Sequence, residues 1–254
     1  MADALRVEAL SVRLGARTVV DDVSFAAQFG ELLAIVGPNG AGKSSVLRAL
    51  CGLVPYRGLV ELEGRASAQL DEATRARHIS FVPQHSRLTA ALTVREVVNL
   101  GRYTHRSAFA RESEADRSAI DGALADLDIT DLSARTFPDL STGEQKRVML
   151  ARALCTEART LLLDEPTASL DIEHALRLFE SLRALARRGR AIVLVLHQLE
   201  HALAFCDRAL LLSQGRVLAV GPAHDVLTPE NVRALHHVEM VPRAAPDFRL
   251  PERR

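Results

Sequence analysis

Two hydrophobic rhythms divide this chain. Apolar runs without interruption occur at 32–36 (LLAIV), within 160–165 (TLLLDE) and within 191–197 (AIVLVLH). Runs this short, stopped by glycine, acidic residues or histidine, predict strands buried on both faces. Residues 5 to 29 instead alternate between apolar and polar positions. They predict two or three antiparallel strands with a turn at Gly15-Ala16-Arg17. LVELE at 59–63 predicts another short strand. Residues 70–77 predict a short exposed helix, and 78–84 a strand ending at Pro83.

From about 86 to 158 strand signals vanish and helical spacing takes over. Thr93 and Glu96 have the spacing of a capping box, before an apolar face of Val94, Val97, Val98 and Leu100. Residues 111–127 form a charged amphipathic helix with Ile120, Leu124 and Leu127 on one side. Ser141 and Glu144 repeat the capping box before Val148, Met149, Leu150, Ala153 and Leu154. This stretch reads as a helical insertion. Beyond it lie helices at 171–188 and 199–205, and two short strands at 208–220 around Gln214-Gly215. Buried strands alternating with helices imply a parallel α/β sheet. The stretch from Val241 carries three prolines and is expected to be poorly ordered.

Composition narrows the function classes. A chain of 254 residues with 48% hydrophobic content suits one large domain or two small ones. Its net charge of zero offers no electrostatic case for nucleic acid or an anionic membrane surface. Cys51, Cys155 and Cys206 are far apart and odd in number, which argues for buried thiols over disulfides or a zinc site. The opening MADALRVEAL lacks a basic region followed by an apolar stretch, so no signal peptide is expected. The apolar runs fall far short of a membrane span. Work at a membrane would need a partner.

The candidate chemistry begins where the first buried run stops. Gly37-Pro38-Asn39-Gly40-Ala41-Gly42-Lys43-Ser44-Ser45 is a glycine-rich turn between a strand and a helix. Its glycines let several backbone N–H groups converge on one anion, and the helix adds its positive end. Lys43 can reach the β- and γ-phosphates of a nucleotide, and the Ser44 hydroxyl can ligate Mg²⁺. Only Lys43 and Lys146 are lysine among 32 basic residues. A lysine kept here fits a need for a slim point charge. Asp164 and Glu165 end a buried strand, where open α/β sheets place their ligands. One such carboxylate can hold Mg²⁺ and the next can polarise an attacking water. His197 ends the following apolar strand and could contact a γ-phosphate.

These residues, in this order, resemble the nucleotide-binding subunit of ATP-binding cassette transporters over nearly the whole chain. Gly37 to Ser45 matches the Walker A loop, and Leu161 to Glu165 matches Walker B with its catalytic glutamate. Gln84 matches the Q-loop. Leu140-Ser141-Thr142-Gly143-Glu144 matches the signature motif, Ser169-Leu170-Asp171 the D-loop and His197 the switch histidine. The resemblance implies an α/β fold: a P-loop NTPase core with an N-terminal antiparallel β layer and an inserted helical subdomain. The single ATPase domain would span 1–240. Its core would comprise 1–85 and 159–240, its helical part 86–158, and 241–254 would be a tail.

The resemblance also implies a mechanism. Two subunits would form a homodimer that sandwiches two ATP molecules, with Ser141 and Gly143 of one meeting the nucleotide on the other. Lys43 and Ser44 would hold phosphate and Mg²⁺, with Asp164 and Gln84 on the metal side. Glu165 would act as general base, His197 would steady the γ-phosphate, and Asp171 would cross the dimer interface. Gln84 would pass the state of the site to membrane permease subunits beside 84–105. A substrate-binding protein would act further upstream. The subunit would sit at the cytoplasmic face of the inner membrane.

Two positions depart from the family pattern. Thr142 stands where glycine is usual, and Leu14 where an aromatic residue usually stacks on adenine. LTVREVVNLGRYTH at 92–105, HQLEHA after the second strand end and GPAHDVLTPENVRALHHVEM resemble importers of iron–siderophores, haem and vitamin B12. Manganese or zinc importers are the nearest alternative. His105, His236 and His237 show no converging ligand set. A soluble cassette acting on nucleic acid or ribosomes would need a second cassette, a heptad run or a basic stripe, and none is present. Glu165 and His197 argue against a non-hydrolysing regulator, and the missing membrane segment against an exporter subunit.

Overall fold

The computed structural model describes residues 3–84, 88, 90–106 and 111–236. The stretch expected to form a tail at 241–254 lies outside the described residues. So do 85–87, 89 and His237, and 107–110 of the expected insertion.

The chain opens with a long hairpin, β1 (Asp3–Leu14) and β2 (Arg17–Gln28), turning at Gly15-Ala16. Its alternation slips phase midway. Leu5 and Val7 are buried on β1, then Leu10 and Val12; on β2 Val20 is buried, then Val23, Phe25 and Ala27. Ala9 and Asp22 sit at the slips with positive φ, of 51° and 55°. These are bulges that absorb one residue on each strand and return the apolar side chains to the same face. β3 (Leu32–Val36), α1 (Lys43–Leu50), β4 (Tyr56–Leu62) and β5 (Arg65–Ala66) follow. β4 begins earlier than the strand expected at 59–63, and Glu63 turns out of it with φ 50°. β1, β2, β4 and β5 form an antiparallel sheet in the order β2-β1-β4-β5.

α2 (Glu72–His78) and β6 (Ile79–Val82) lead into a helical stretch of α3 (Val94–Asn99), α4 (Glu114–Asp126) and α5 (Thr142–Leu154). The chain then alternates: β7 (Thr160–Asp164), α6 (Ile172–Arg187), β8 (Ala191–Leu196), α7 (Leu199–Phe205) and β9 (Arg208–Ser213). β10 (Arg216–Pro222), α8 (Ala223–Val226) and α9 (Pro229–His236) close the described chain. The last two helices were not anticipated. The second sheet runs β10-β9-β3-β8-β7-β6, parallel except for the β9–β10 hairpin.

The uninterrupted apolar runs conceal a period of two. Leu33, Ile35, Leu162, Val193 and Val195 face one core, shared with α1 and the antiparallel sheet. Leu32, Ala34, Val36, Leu161, Leu163, Ile192, Leu194 and Leu196 face the other, shared with α3–α7. β3, β7 and β8 are therefore dry on both faces, and their polar groups stand at the strand ends.

Capping boxes start all three helices of the helical stretch: Thr93 with Glu96, Ser113 with Asp116, and Ser141 with Glu144. α4 therefore begins at Glu114, three residues later than the pattern implied. Leu100, expected on the apolar face of α3, is exposed because the chain tightens there into a 3₁₀ turn. Buried Asp116 is more than a cap. It accepts from Arg102 Nε at 2.8 Å and Arg106 Nε at 2.9 Å, and Arg102 also donates to Cys155 O at 2.8 Å. Burial pushes its pKa upward, but hydrogen bonds from Arg102, Ser113 and Arg106 overcome that and hold it well below the ordinary carboxylate range. A carboxylate whose folded pKa is depressed adds stability above its unfolded value near 3.9, and that stability fades as pH falls through the folded value. Asp116→Asn should therefore lower the urea midpoint by a constant amount between pH 7 and about 5, and the deficit should shrink below about pH 4. Urea titrations of both proteins across that range are the check.

Candidate functional site

Parallel register brings the carboxyl ends of four strands to one level. Val36 pairs with Leu196, Asp164 with Val195, and Val82 with Leu163. The residues just beyond those ends are Gly37, His197, Glu165 and the Pro83-Gln84 pair. Polar residues thus stand together on a rim just past the carboxyl ends of these strands, the position where open α/β sheets bind ligands.

On that rim the glycine-rich loop is held from both sides. A Cβ on Gly37 would lie 2.1 Å from Leu212 O of β9, and one on Gly42 would lie 2.4 Å from Val19 O of β2. Gly42 also has φ 102°. Ala41 N donates to Pro38 O, and Gly215 N to Ala41 O. The backbone N–H groups of Gly40, Gly42, Lys43, Ser44 and Ser45 have no acceptor among the described residues. The first turn of α1 carries no acidic residue. This is a concave set of donors on a positive helix end, suited to a polyanion. Buried Lys43 donates from Nζ to Gly37 O at 2.7 Å and Pro38 O at 2.9 Å. Burial lowers its pKa, while Glu165 and Asp164 pull it back up.

Ser44 Oγ donates to Asp164 Oδ1 at 3.1 Å. Burial raises the pKa of Asp164, opposed by the Ser44 hydrogen bond. A hydroxyl and a carboxylate this close are hard oxygen donors of the kind that hold Mg²⁺ with its waters, so the donor set fits such a cation. Among the described residues no group of three or more histidine, cysteine or acidic side chains could hold a metal. His105 instead pairs with Thr156 O at 2.9 Å. Glu165 is half-buried, and its two carboxylate oxygens are engaged from opposite sides. Gln84 Nε2 donates to Oε2, and His197 Nε2 meets Oε1. The carboxylate is thereby oriented by residues following two other strands.

The remaining expected residues make no hydrogen bond to the glycine-rich loop among the described residues. Ser141 caps α5 through Glu144 N and is exposed. A Cβ on Gly143 would stand 3.0 Å from His174 Cδ2. Asp171 caps α6 by accepting from His174 N at 2.8 Å, which lowers its pKa. Leu14 is exposed at the end of β1. Among the described residues no hydrogen bond or ion pair joins Ser141, Gly143, Asp171 or Leu14 to the glycine-rich loop. Thr142, however, lines a cavity of about 190 Å³ together with Gln84, Asp164, Glu165 and Lys146. Lys146 belongs to no motif and stands out only by its rarity, yet its Nζ bonds Ala168 O, three residues past Glu165. The scarcity of lysine was the signal that could have found it. The three thiols are free, and burial pushes each up to about 12, which leaves them unreactive.

The sequence model of the family described as ABC transporter matches residues 20–168. The hemin import ATP-binding protein HmuV of Pseudomonas aeruginosa is 40% identical over 249 residues, covering 96% of each chain. The cobalamin import ATP-binding protein BtuD of Halobacterium salinarum is 42% identical over 232 residues. That match covers 91% of this chain but only 58% of the relative's length. Among solved structures, an ABC transporter in an inward-facing conformation aligns with TM-score 0.82 at 32% identity, covering 93% of this chain and 90% of that one. An ATP binding subunit of an ABC transporter aligns with TM-score 0.77 at 28% identity, covering 93% and 95%.

Two glycines of the loop separate conformational cost from steric cost. Gly40 has φ 80° but open space where a Cβ would go, whereas Gly42 has both a positive φ and Val19 O in the way. Gly40→Ala should cost about 1–2 kcal/mol from backbone strain alone. Gly42→Ala should cost about 1–3 kcal/mol beyond that, since backbone must shift to admit the methyl. Urea unfolding of the two variants should rank them in that order.

Proposed function

The chain belongs to the ABC transporter family, and from that membership we propose that it is the ATP-binding and ATP-hydrolysing subunit of an importer. One observation carries the reading: the carboxylate of Glu165 is held between Gln84 and His197, on the same rim as an anion-binding loop. A lone acid at a strand end is common; one oriented from both sides beside a polyphosphate cradle is suited to positioning a water for in-line attack.

In this reading the N–H groups of Gly40 and of 42–45 and the ammonium of Lys43 bind the β- and γ-phosphates. Ser44 and Asp164, with Gln84 nearby, hold Mg²⁺, which would neutralise developing charge on the phosphate oxygens. Glu165 orients the water and takes its proton. His197, which already meets Glu165, steadies the γ-phosphate side. Leu14 supplies an apolar contact for the base. Since Ser141 and Asp171, among the described residues, bond only within their own caps and not to the glycine-rich loop, they and Gly143 are free to meet a second copy. A head-to-tail homodimer would bring the α5 N-terminus of one subunit to the nucleotide on the other. Residues 86–158 would act as the helical unit that carries this second half of the site, set into a core from 1–85 and 159–240.

Transport needs membrane subunits. No helix among the described residues is long and apolar enough to cross a membrane. The surface near 84–105 suits a permease contact: Leu100 is exposed, and Tyr103 is 79% exposed on the same 3₁₀ turn. That would place the subunit on the cytoplasmic face of the inner membrane, with a substrate-binding protein delivering cargo on the far side. The hemin and cobalamin importers among the relatives favour an iron chelate, such as haem or a siderophore, or cobalamin as cargo.

Glu165→Gln tests the reading. It should lower Mg²⁺-dependent ATP turnover by at least about 100-fold, the usual worth of a general base. ATP affinity should be retained, and size-exclusion chromatography in ATP should show a dimer that the nucleotide-free protein lacks. Equal turnover in wild type and Glu165→Gln would remove Glu165 from the role.

A further inference from the structure

All but two of the 32 basic residues in this chain are arginine. One of the two lysines closes the anion-binding loop. The other, Lys146, is on α5, five residues beyond the cap at Ser141, and it reaches across to the carbonyl of Ala168. Both sense the same carboxylate: Glu165 is among the charges acting on Lys43 and on Lys146.

The loop that Lys146 touches is under strain. Glu165 has φ 50° and Ser169 φ 63°, two left-handed residues without glycine's freedom within five positions. Such conformations persist only where neighbours over-determine them. Within the loop the restraints are few: Glu165 N donates to Val195 O at 3.2 Å, Ala168 N to Glu165 O at 3.1 Å and Leu170 N to Thr167 O at 3.1 Å. Ala168 O takes the ammonium of Lys146. Half-buried Lys146 shares a cavity wall with apolar Met149, Leu178 and Phe137 and with polar Gln84, Gln145 and Glu165. A single slim donor suits the place.

We propose that Lys146 is a positioning residue. It fastens the start of α5, which carries Ser141 to Gly143, to the strained loop of 165–170, and so keeps Glu165 aimed for attack. The inference rests on the reading of Glu165 as the group that acts on water. It gives α5 a task within its own subunit, apart from any nucleotide it meets on a second copy. Burial lowers the pKa of Lys146, and the charge of Glu165 opposes that shift.

Two measurements on wild type, Lys146→Met and Lys146→Arg decide it. The first is hydrogen exchange of the nucleotide-free protein. Lys146→Met should raise exchange of the Ala168 and Leu170 amides about tenfold and leave the amides of β7 and β8 unchanged. The second is ATP turnover. The same variant should lower kcat about tenfold with KM for ATP within about twofold, because the loop of 37–45 is untouched. Lys146→Arg keeps the charge but replaces a compact donor with a planar fork, so it should fall between the other two in both measurements.

Unchanged exchange in Lys146→Met overturns the tether, whatever turnover does. Raised exchange with unchanged kcat overturns its bearing on Glu165. A loss carried mainly by KM, or Lys146→Arg worse than Lys146→Met, also overturns the proposal. If Glu165→Gln turns over like wild type while Lys146→Met still loosens the loop, the reading of Glu165 has failed and the tether stands without its catalytic purpose.

Discussion

The arrangement of this molecule follows from three strands that are dry on both faces. β3, β7 and β8 are buried along their whole lengths, so none of their interior positions can hold an unpaired polar group. Parallel pairing then sets their carboxyl ends side by side. Gly37, Glu165 and His197 come together because each is the first residue free of that constraint. Lys43 and Ser44 follow because a helix must start where the loop after β3 ends. The rim is what remains when apolar side chains fill every other place.

Much of this was legible in the residues. The uninterrupted runs at 32–36 and 191–196 marked buried strands, and the capping boxes at Thr93 and Ser141 marked helix starts to the residue. Other features were not. The phase slips at Ala9 and Asp22 break a period of two with no glycine to announce them, since non-glycine residues take positive φ there. Glu63 looked like a strand residue because its neighbours are, yet it turns out ahead of Gly64. α8 and α9 are short and mixed in polarity, with Ala223, Val226, Val232 and Leu235 buried only because β9 and β10 stand beside them. Their shape is a tertiary effect that a local pattern does not carry.

The site divides along the same line. Motif residues on the rim could be recognised because their backbone context is local: strand, turn, helix. Side-chain partnerships across the chain could not. That Gln84 and His197 grip one carboxylate depends on β6 and β8 flanking β7, a sheet order that no short stretch of sequence states. The same holds for Arg102, which reads as one more surface arginine and is in fact buried against Asp116.

Lys43 offers a last consequence. Its ammonium rests on Gly37 O and Pro38 O, the backbone of the very loop it serves. Those contacts, with Ala41 N on Pro38 O and Gly215 N on Ala41 O, tie the shape of the loop to the rest of the fold, and ordering fixed by the fold is not a cost of binding. On arrival the ammonium exchanges two neutral carbonyls for a charged oxygen while the backbone stays in place. Binding at such a loop resembles a key meeting a cut lock more than a rope drawn tight.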